Sequence, residues 1–297
     1  MKIFYSPRFL QHDTGWGHPE CAMRLQVILE YLRGSGLSFE LVEPKPATER
    51  ELSLVHDSRY LNQLAHPSLI HTYFPDTPID KNTYAIARLA AGAALGAARA
   101  CLQEKFAFAL VRPPGHHAKK VEFGGFCYLN NMAVAVANLL RDGSARRVLI
   151  VDFDIHHGNG TQEIFYNEPR VFYFSIHQRA DSIYPGTGFE SESNEHIRNV
   201  ELPIGVRDAE YIEKFRANLA DITFEPDVIG VSAGFDSFGK DNCCGQLTRI
   251  SDSRTYRKVG ELIRQKAGGA SVFAVLEGGY YLDALGENVF NFLSAFV

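Results

Sequence analysis

The stretch VLIVDFDIHHGNGT, Val148–Thr161, decides how this chain is read. Val148, Leu149, Ile150 and Val151 form a short, largely β-branched apolar run, the pattern of a strand buried on both faces. Asp152, Asp154, His156 and His157 follow at once, and Gly158 and Gly160 close the turn. A buried strand that ends in several polar side chains must supply a partner for each of them. A metal ion is one such partner.

The same punctuation recurs along the chain. Strand-like runs stand at KIFY near the start, FALV at 108–111, VFYFSI at 171–176, VIGVSA at 228–233 and VFAVL at 272–276. Helical patterns lie between several of them, over Thr83–Leu102, Asn130–Arg141, Ala209–Ala220 and Ser253–Lys266. Strands alternating with helices predict an α/β fold with a mostly parallel central sheet and helices on both faces. FALV leads into RPPGHH with His116 and His117, VFYFSI into His177, VIGVSA into Asp236, and VFAVL into EGGYY with Tyr280 and Tyr281. Five strands each deliver polar residues just past their carboxyl ends, the edge at which open parallel sheets bind ligands.

Composition narrows the field. The chain has 297 residues, 45% hydrophobic and 22% charged, with net charge -5, which excludes a basic nucleic-acid footprint. The N-terminus MKIFYSPRFL lacks the apolar core of a secretion signal. The most apolar stretch, AIARLAAGAALGAARA, carries Arg88 and Arg99 and reads as a buried helix, not a membrane span. Five cysteines show no CxxC spacing, and Cys243 and Cys244 are adjacent, which favours a reducing cytoplasm. No repeat, low-complexity tract or linker divides the chain, so a single domain over 1–297 is expected; oligomeric state is not legible.

In DFDIH, Asp154 and His156 stand two apart, and in extended backbone such residues point to one side. An oxygen and an imidazole nitrogen can then grip one ion, with Asp236 from another strand end as a third ligand. Three mixed ligands leave an open position, as in catalytic zinc sites. DxH alone reads more readily as a buried Asp–His hydrogen bond; Asp236 and the strand-end pattern turn the balance to the metal. His116 and His117, after two prolines and a glycine, are placed to carry protons, with Asp152 and Asn159 as their orienting partners. A tyrosine after GG can present its hydroxyl to a developing oxyanion, or simply pack at the turn.

The set RPPGHHA, FGGFCYLNN, VDFDIHHGNGTQEIFY, YPGTG, GFDS and LEGGYY resembles the zinc-dependent histone deacetylase family, which includes acetylpolyamine amidohydrolases and class II-like bacterial members. HDTGWGHPECAMRL is similar to the family's N-terminal HPExxxRL pattern, so the resemblance spans nearly the whole chain. It implies a three-layer arginase/deacetylase-like fold and hydrolysis of N-acetyl-lysine, or a similar acylated amine, by metal-activated water. Asp154, His156 and Asp236 match the zinc ligands, although Asp–His–Asp also accepts Fe(II). His117 matches the general base and acid, His116 its electrostatic partner paired to Asp152, and Tyr280 the carbonyl-polarising tyrosine. Gly125, Phe126 and Tyr184 resemble the channel walls, and Asp76 the rim aspartate. Asp152, Ser175 and the carbonyls of Asp154, His156 and Ile176 resemble a structural potassium site. Arg24 is expected at an interior pocket.

Two positions depart from the commonest family pattern. Asn159 stands where many members carry Asp, which is expected to alter His117 basicity without abolishing activity. Cys243 stands where polyamine-preferring enzymes can carry Glu, leaving no anionic anchor there for a polyamine. The short region between Leu64 and Asn82 also argues against the long insertion of some polyamine enzymes. Acylated lysine on a peptide or protein is therefore the favoured substrate, with acetylpolyamine hydrolysis second. An inactive acetyl-lysine binding module is a third reading, opposed by intact candidates for every catalytic role. A two-manganese arginase-like site would lack ligands, because Gly158 and Phe238 occupy the positions of its bridging carboxylates.

Overall fold

The computed structural model of the chain describes residues 1–69, 76–241, 243 and 247–297. Cys244 and part of the 65–81 region, on which two of the expectations above fall, lie outside the described residues. The centre is one sheet built from β1 (Lys2–Phe4), β2 (Glu40–Val42), β3 (Phe106–Ala109), β4 (Val148–Asp152), β5 (Val171–Gln178), β6 (Ile197–Leu202), β7 (Val228–Ala233) and β8 (Ser271–Leu276). The order across it is β2-β1-β3-β8-β7-β4-β5-β6. Every ladder between these strands is parallel, a stricter outcome than the mostly parallel sheet expected. Strands β3, β4, β5, β7 and β8 are buried along their whole length, which is why they read as continuous apolar runs without alternation.

The helices are α1 (Met23–Gly34), α2 (Glu49–Leu52), α3 (Ser58–Ala65), α4 (Thr83–Glu104), α5 (Asn131–Asp142), α6 (Asn159–Phe165), α7 (Asp208–Ala220), α8 (Arg254–Ala267) and α9 (Leu282–Leu293). They fall into two packed groups, α2 to α6 in one and α1, α7, α8 and α9 in the other, giving three layers. Helix α4 is long and apolar enough to cross a membrane by length and composition. Here its small residues pack against β1, β3, β8 and α5. Asn130 caps α5 by accepting the Ala133 N–H, and Gly143 ends it at φ +77°.

The order β3-β8-β7-β4 sets the site. Register aligns Ala109, Val275, Ser232 and Asp152 in one row across the sheet. The segments that leave these four strands therefore start at one level and meet at one edge. The FALV ladder stops at Ala109; Leu110 and Val111 are buried beyond it and carry the chain to the paired histidines.

Candidate metal centre and active site

The Nδ1 of His156 lies 3.1 Å from Asp154 Oδ1 and 3.0 Å from Asp236 Oδ2. The outer carboxylate oxygens are held by backbone: Gly278 N–H donates to Asp154 Oδ2 at 2.8 Å and Ile155 N–H to Asp236 Oδ1 at 3.1 Å. One nitrogen and two oxygens thus face each other, all within 4.8 Å. Burial and the neighbouring Asp154 charge push the Asp236 pKa up to about 6. That excess of buried negative charge is what a cation would neutralise, and the mixed N/O set fits a divalent ion. A Cβ at Gly278 would fall 2.4 Å from Asp236 Oδ2 and 2.6 Å from Asp154 Oδ2, so the close approach requires glycine.

The paired histidines sit beside this set with unlike partners. His116 Nδ1 faces Asp152 Oδ2 at 3.1 Å. His117 Nδ1 faces the amide oxygen of Asn159 at 2.8 Å. Burial opposes charge on His116, but the carboxylates of Asp152 and Asp154 outweigh it and raise its pKa to about 10. A dication among the three ligands would offset part of that field. For His117, burial and the charges of His116 and His156 act together and hold the pKa well below 6.5.

A cavity of about 160 Å³ opens onto these groups, lined among others by Asp76, His117, Phe126, Tyr184, Cys243 and Tyr280. The Tyr184 ring stands 4.9 Å from that of His117, edge to face, and Phe126 meets Tyr280 at 5.7 Å. Gly125, at φ +54°, lies between His117 and Tyr184. Phe126 also has positive φ, +68°, strained for an aromatic residue; its N–H donates to Thr77 Oγ1 at 3.1 Å. Asp76 is exposed at the mouth, and its carbonyl faces His18 Nε2 at 3.0 Å. Arg24 is wholly buried behind Tyr280, 4.8 Å from its ring, and donates to the Gly279 carbonyl at 2.7 Å. Asp152 and Ser175 are register partners, while Ser175 Oγ pairs with His177 Nδ1 at 2.8 Å. His177 and Tyr281, both flagged as strand-end residues, do not line the cavity: His177 is inside β5, with Nε2 on the Gly188 carbonyl.

Three buried carboxylates of the site were not singled out from sequence. Glu277 Oε2 accepts the N–H groups of Gly115 and His116 at 2.7 and 3.2 Å, tying the end of β8 to the histidine loop. Asp241 accepts from Tyr280, Tyr281 and Cys243. Glu20 takes two bonds from Arg112, both at 2.9 Å, and one from Arg24 at 3.1 Å. An acid ending an apolar strand was a usable sign for Glu277, as it was for Asp152.

Fold and site together define an amidohydrolase of the arginase/deacetylase type, and the comparisons make this specific. Residues 18–296 match the histone deacetylase domain, and the chain belongs to the histone deacetylase family. It is a deacetylase. A probable deacetylase of Methanothermobacter thermautotrophicus is 36% identical over 99% of this chain and 89% of its own. The crystal structure of the HDA15 HD domain superposes with a TM-score of 0.90 at 33% identity, covering 99% of this chain and 90% of that one. An acetylpolyamine aminohydrolase from Burkholderia pseudomallei gives 0.86 at 28% identity, covering 100% and 98%.

Proposed function

We propose that the chain hydrolyses the amide of N-acetyl-lysine in a peptide or protein, or of a similar acylated amine, to free amine and acetate. The observation that carries this reading is the convergence of His156 Nδ1 with one oxygen each of Asp154 and Asp236 at a cavity that also exposes His117 and Tyr280. Asp154, His156 and Asp236 would hold Zn(II), or Fe(II), which this donor set also accepts. Bound there, a divalent ion polarises a carbonyl and acidifies water.

An amide oxygen only accepts, so the contact to Asn159 puts the proton of His117 on Nδ1 and leaves Nε2 as a base. His117, neutral near pH 7, takes a proton from water and later delivers it to the departing amine. His116, charged against Asp152, supplies positive potential beside the reacting carbonyl. Tyr280 donates its hydroxyl to the developing oxyanion. Gly125, Phe126, Tyr184 and Cys243 wall the acyl-lysine stem, Asp76 accepts from the substrate backbone at the rim, and Arg24 serves the interior pocket. Asp152, Ser175 and the carbonyls of Asp154, His156 and Ile176 would hold a structural potassium ion; the Asp152–Ser175 register supports this. One sheet running from β1 to β8 supports a single deacetylase domain over 1–297, and the four described cysteines, all free, support a cytoplasmic setting.

Cys243 favours acyl-lysine over polyamine. Burial pushes its thiol up to about 12, so the wall there is neutral. Parallel kcat/KM measurements on an acetyl-lysine peptide and on N-acetylputrescine, with metal-loaded protein, test the reading. Preference for the peptide is expected. A large preference for acetylputrescine overturns the substrate class, and hydrolysis of neither overturns the reaction.

A further inference from the structure

The loop that follows β7 carries Asp236 at one end and Asp241, five residues on, at the other. Asp241 is 1% exposed, and among the described residues its carboxylate accepts from three backbone N–H groups. Oδ2 accepts from the consecutive amides of Tyr280 and Tyr281, at 2.5 and 3.0 Å. Oδ1 accepts from Cys243 at 3.0 Å. Tyr281 is the N-cap of α9 and offers that helix no side-chain cap, so Asp241 brings negative charge to the positive end of a twelve-residue helix. The loop itself is closed by the Asp241 N–H on the Phe238 carbonyl at 2.8 Å, and Phe238 stacks on Tyr281 with ring centroids 6.1 Å apart.

We propose that Asp241 is a positioning residue for Tyr280: by clamping two successive amides it fixes the backbone that aims the tyrosine hydroxyl into the cavity. This rests on the role given to Tyr280 above. Because the clamp springs from the same loop as Asp236, the oxyanion donor and a metal ligand are held at a fixed spacing. The substrate never touches Asp241. Its loss acts only through where Tyr280 stands, so it must lower kcat more than it raises KM and must depend on the Tyr280 hydroxyl.

The experiment compares Asp241→Ala, Asp241→Asn, Tyr280→Phe and the two double variants in the metal-loaded full chain, reading kcat, KM, metal content and Tm. Asp241→Ala should lower kcat about tenfold or more with KM changed by less than about threefold. Metal content should stay at the wild-type level. Asp241→Asn should recover part of the loss, because its amide oxygen can still accept both tyrosine amides, though more weakly than a carboxylate does. In the Tyr280→Phe background either change at 241 should alter kcat less than about twofold. Equal proportional losses with and without the hydroxyl, wild-type kcat in both single variants, or a loss explained by missing metal would overturn the inference. Should Asp241→Ala fail to fold, the Asp241→Asn pair in the two backgrounds decides alone. If Tyr280→Phe itself turns over normally, the assignment of Tyr280 fails, and that result is distinct from additivity in a crippled Tyr280→Phe.

Discussion

His117 Nδ1 meets Asn159 Oδ1 at 2.8 Å, whereas the adjacent His116 faces a carboxylate. Burial holds the basicity of His117 down, while the carboxylates of Asp152 and Asp154 outweigh burial and raise that of His116. A neutral amide orients His117 without stabilising its charged form, and burial with the charges of His116 and His156 keeps its pKa well below 6.5. His117, the proposed base, is neutral above that pKa, so the acid limb of kcat/KM should lie below pH 6.5. Asn159→Asp adds a charge that favours the imidazolium. The acid limb should move to higher pH, by roughly one unit or more. A pH–rate profile of both proteins checks this, and a limb that stays put or moves to lower pH refutes the pairing.

Tyr280→Phe removes the proposed oxyanion donor and nothing from the fold. Such a loss costs roughly 3 kcal/mol of barrier, about a hundredfold or more in kcat. Single-substrate kinetics with Tm and metal content unchanged is the expected pattern; near-normal turnover would reject the assignment.

Gly125→Ala tests the channel wall. Its Cβ would fall 2.5 Å from His117 Cδ2 and 2.7 Å from Tyr184 Cε1, on backbone at φ +54°. Either His117 or Tyr184 must shift, so kcat/KM should fall at least tenfold, by roughly 1.4 kcal/mol, while bound metal is retained. Wild-type kinetics would place the acyl chain elsewhere.

Glu20 anchors the N-terminal segment beneath the site. Burial alone would raise its pKa, but the guanidinium groups of Arg112 and Arg24 bring it down to about 2. A depressed folded-state pKa contributes stability that is present above the unfolded value near 4.5 and lost as pH falls toward 2. The shift corresponds to roughly 3 kcal/mol. Glu20→Gln should therefore destabilise the chain by about that amount at pH 7, leaving two buried cations without their carboxylate, and should flatten the acid fall in stability between pH 4.5 and 2. Denaturant unfolding across pH measures both; an unchanged acid profile contradicts the assignment.

The strand ends carried most of the site into view at the level of sequence. Asp154, His156, Asp236, His116, His117 and Tyr280 all follow apolar runs, and strand order brings those ends together. The edge strands were not legible. Glu40–Val42 is three residues long and barely buried, and Ile197–Leu202 interleaves Arg198, Asn199 and Glu201 with its apolar positions. Asp241 and Glu20 escaped for a different reason. Tyr280 and Tyr281 for Asp241, and Arg112 for Glu20, are partners far away in sequence, and the one nearby charged partner, Arg24 four residues after Glu20, does not reveal them. Glu277 was visible in LEGGYY yet hidden behind its glycines, whose own turn explains the motif without it.

The proposed activity depends on one ion held by Asp154, His156 and Asp236 and put to work on an amide. Titrating metal-stripped protein with Zn(II) while following loss of acetyl from an acetyl-lysine peptide tests this directly. Activity should rise with added zinc, saturate at about one equivalent per chain and be absent in Asp236→Ala at the same zinc level. A zinc-replete wild type that leaves the peptide acetylated, or an Asp236→Ala variant as active as the parent, would contradict it.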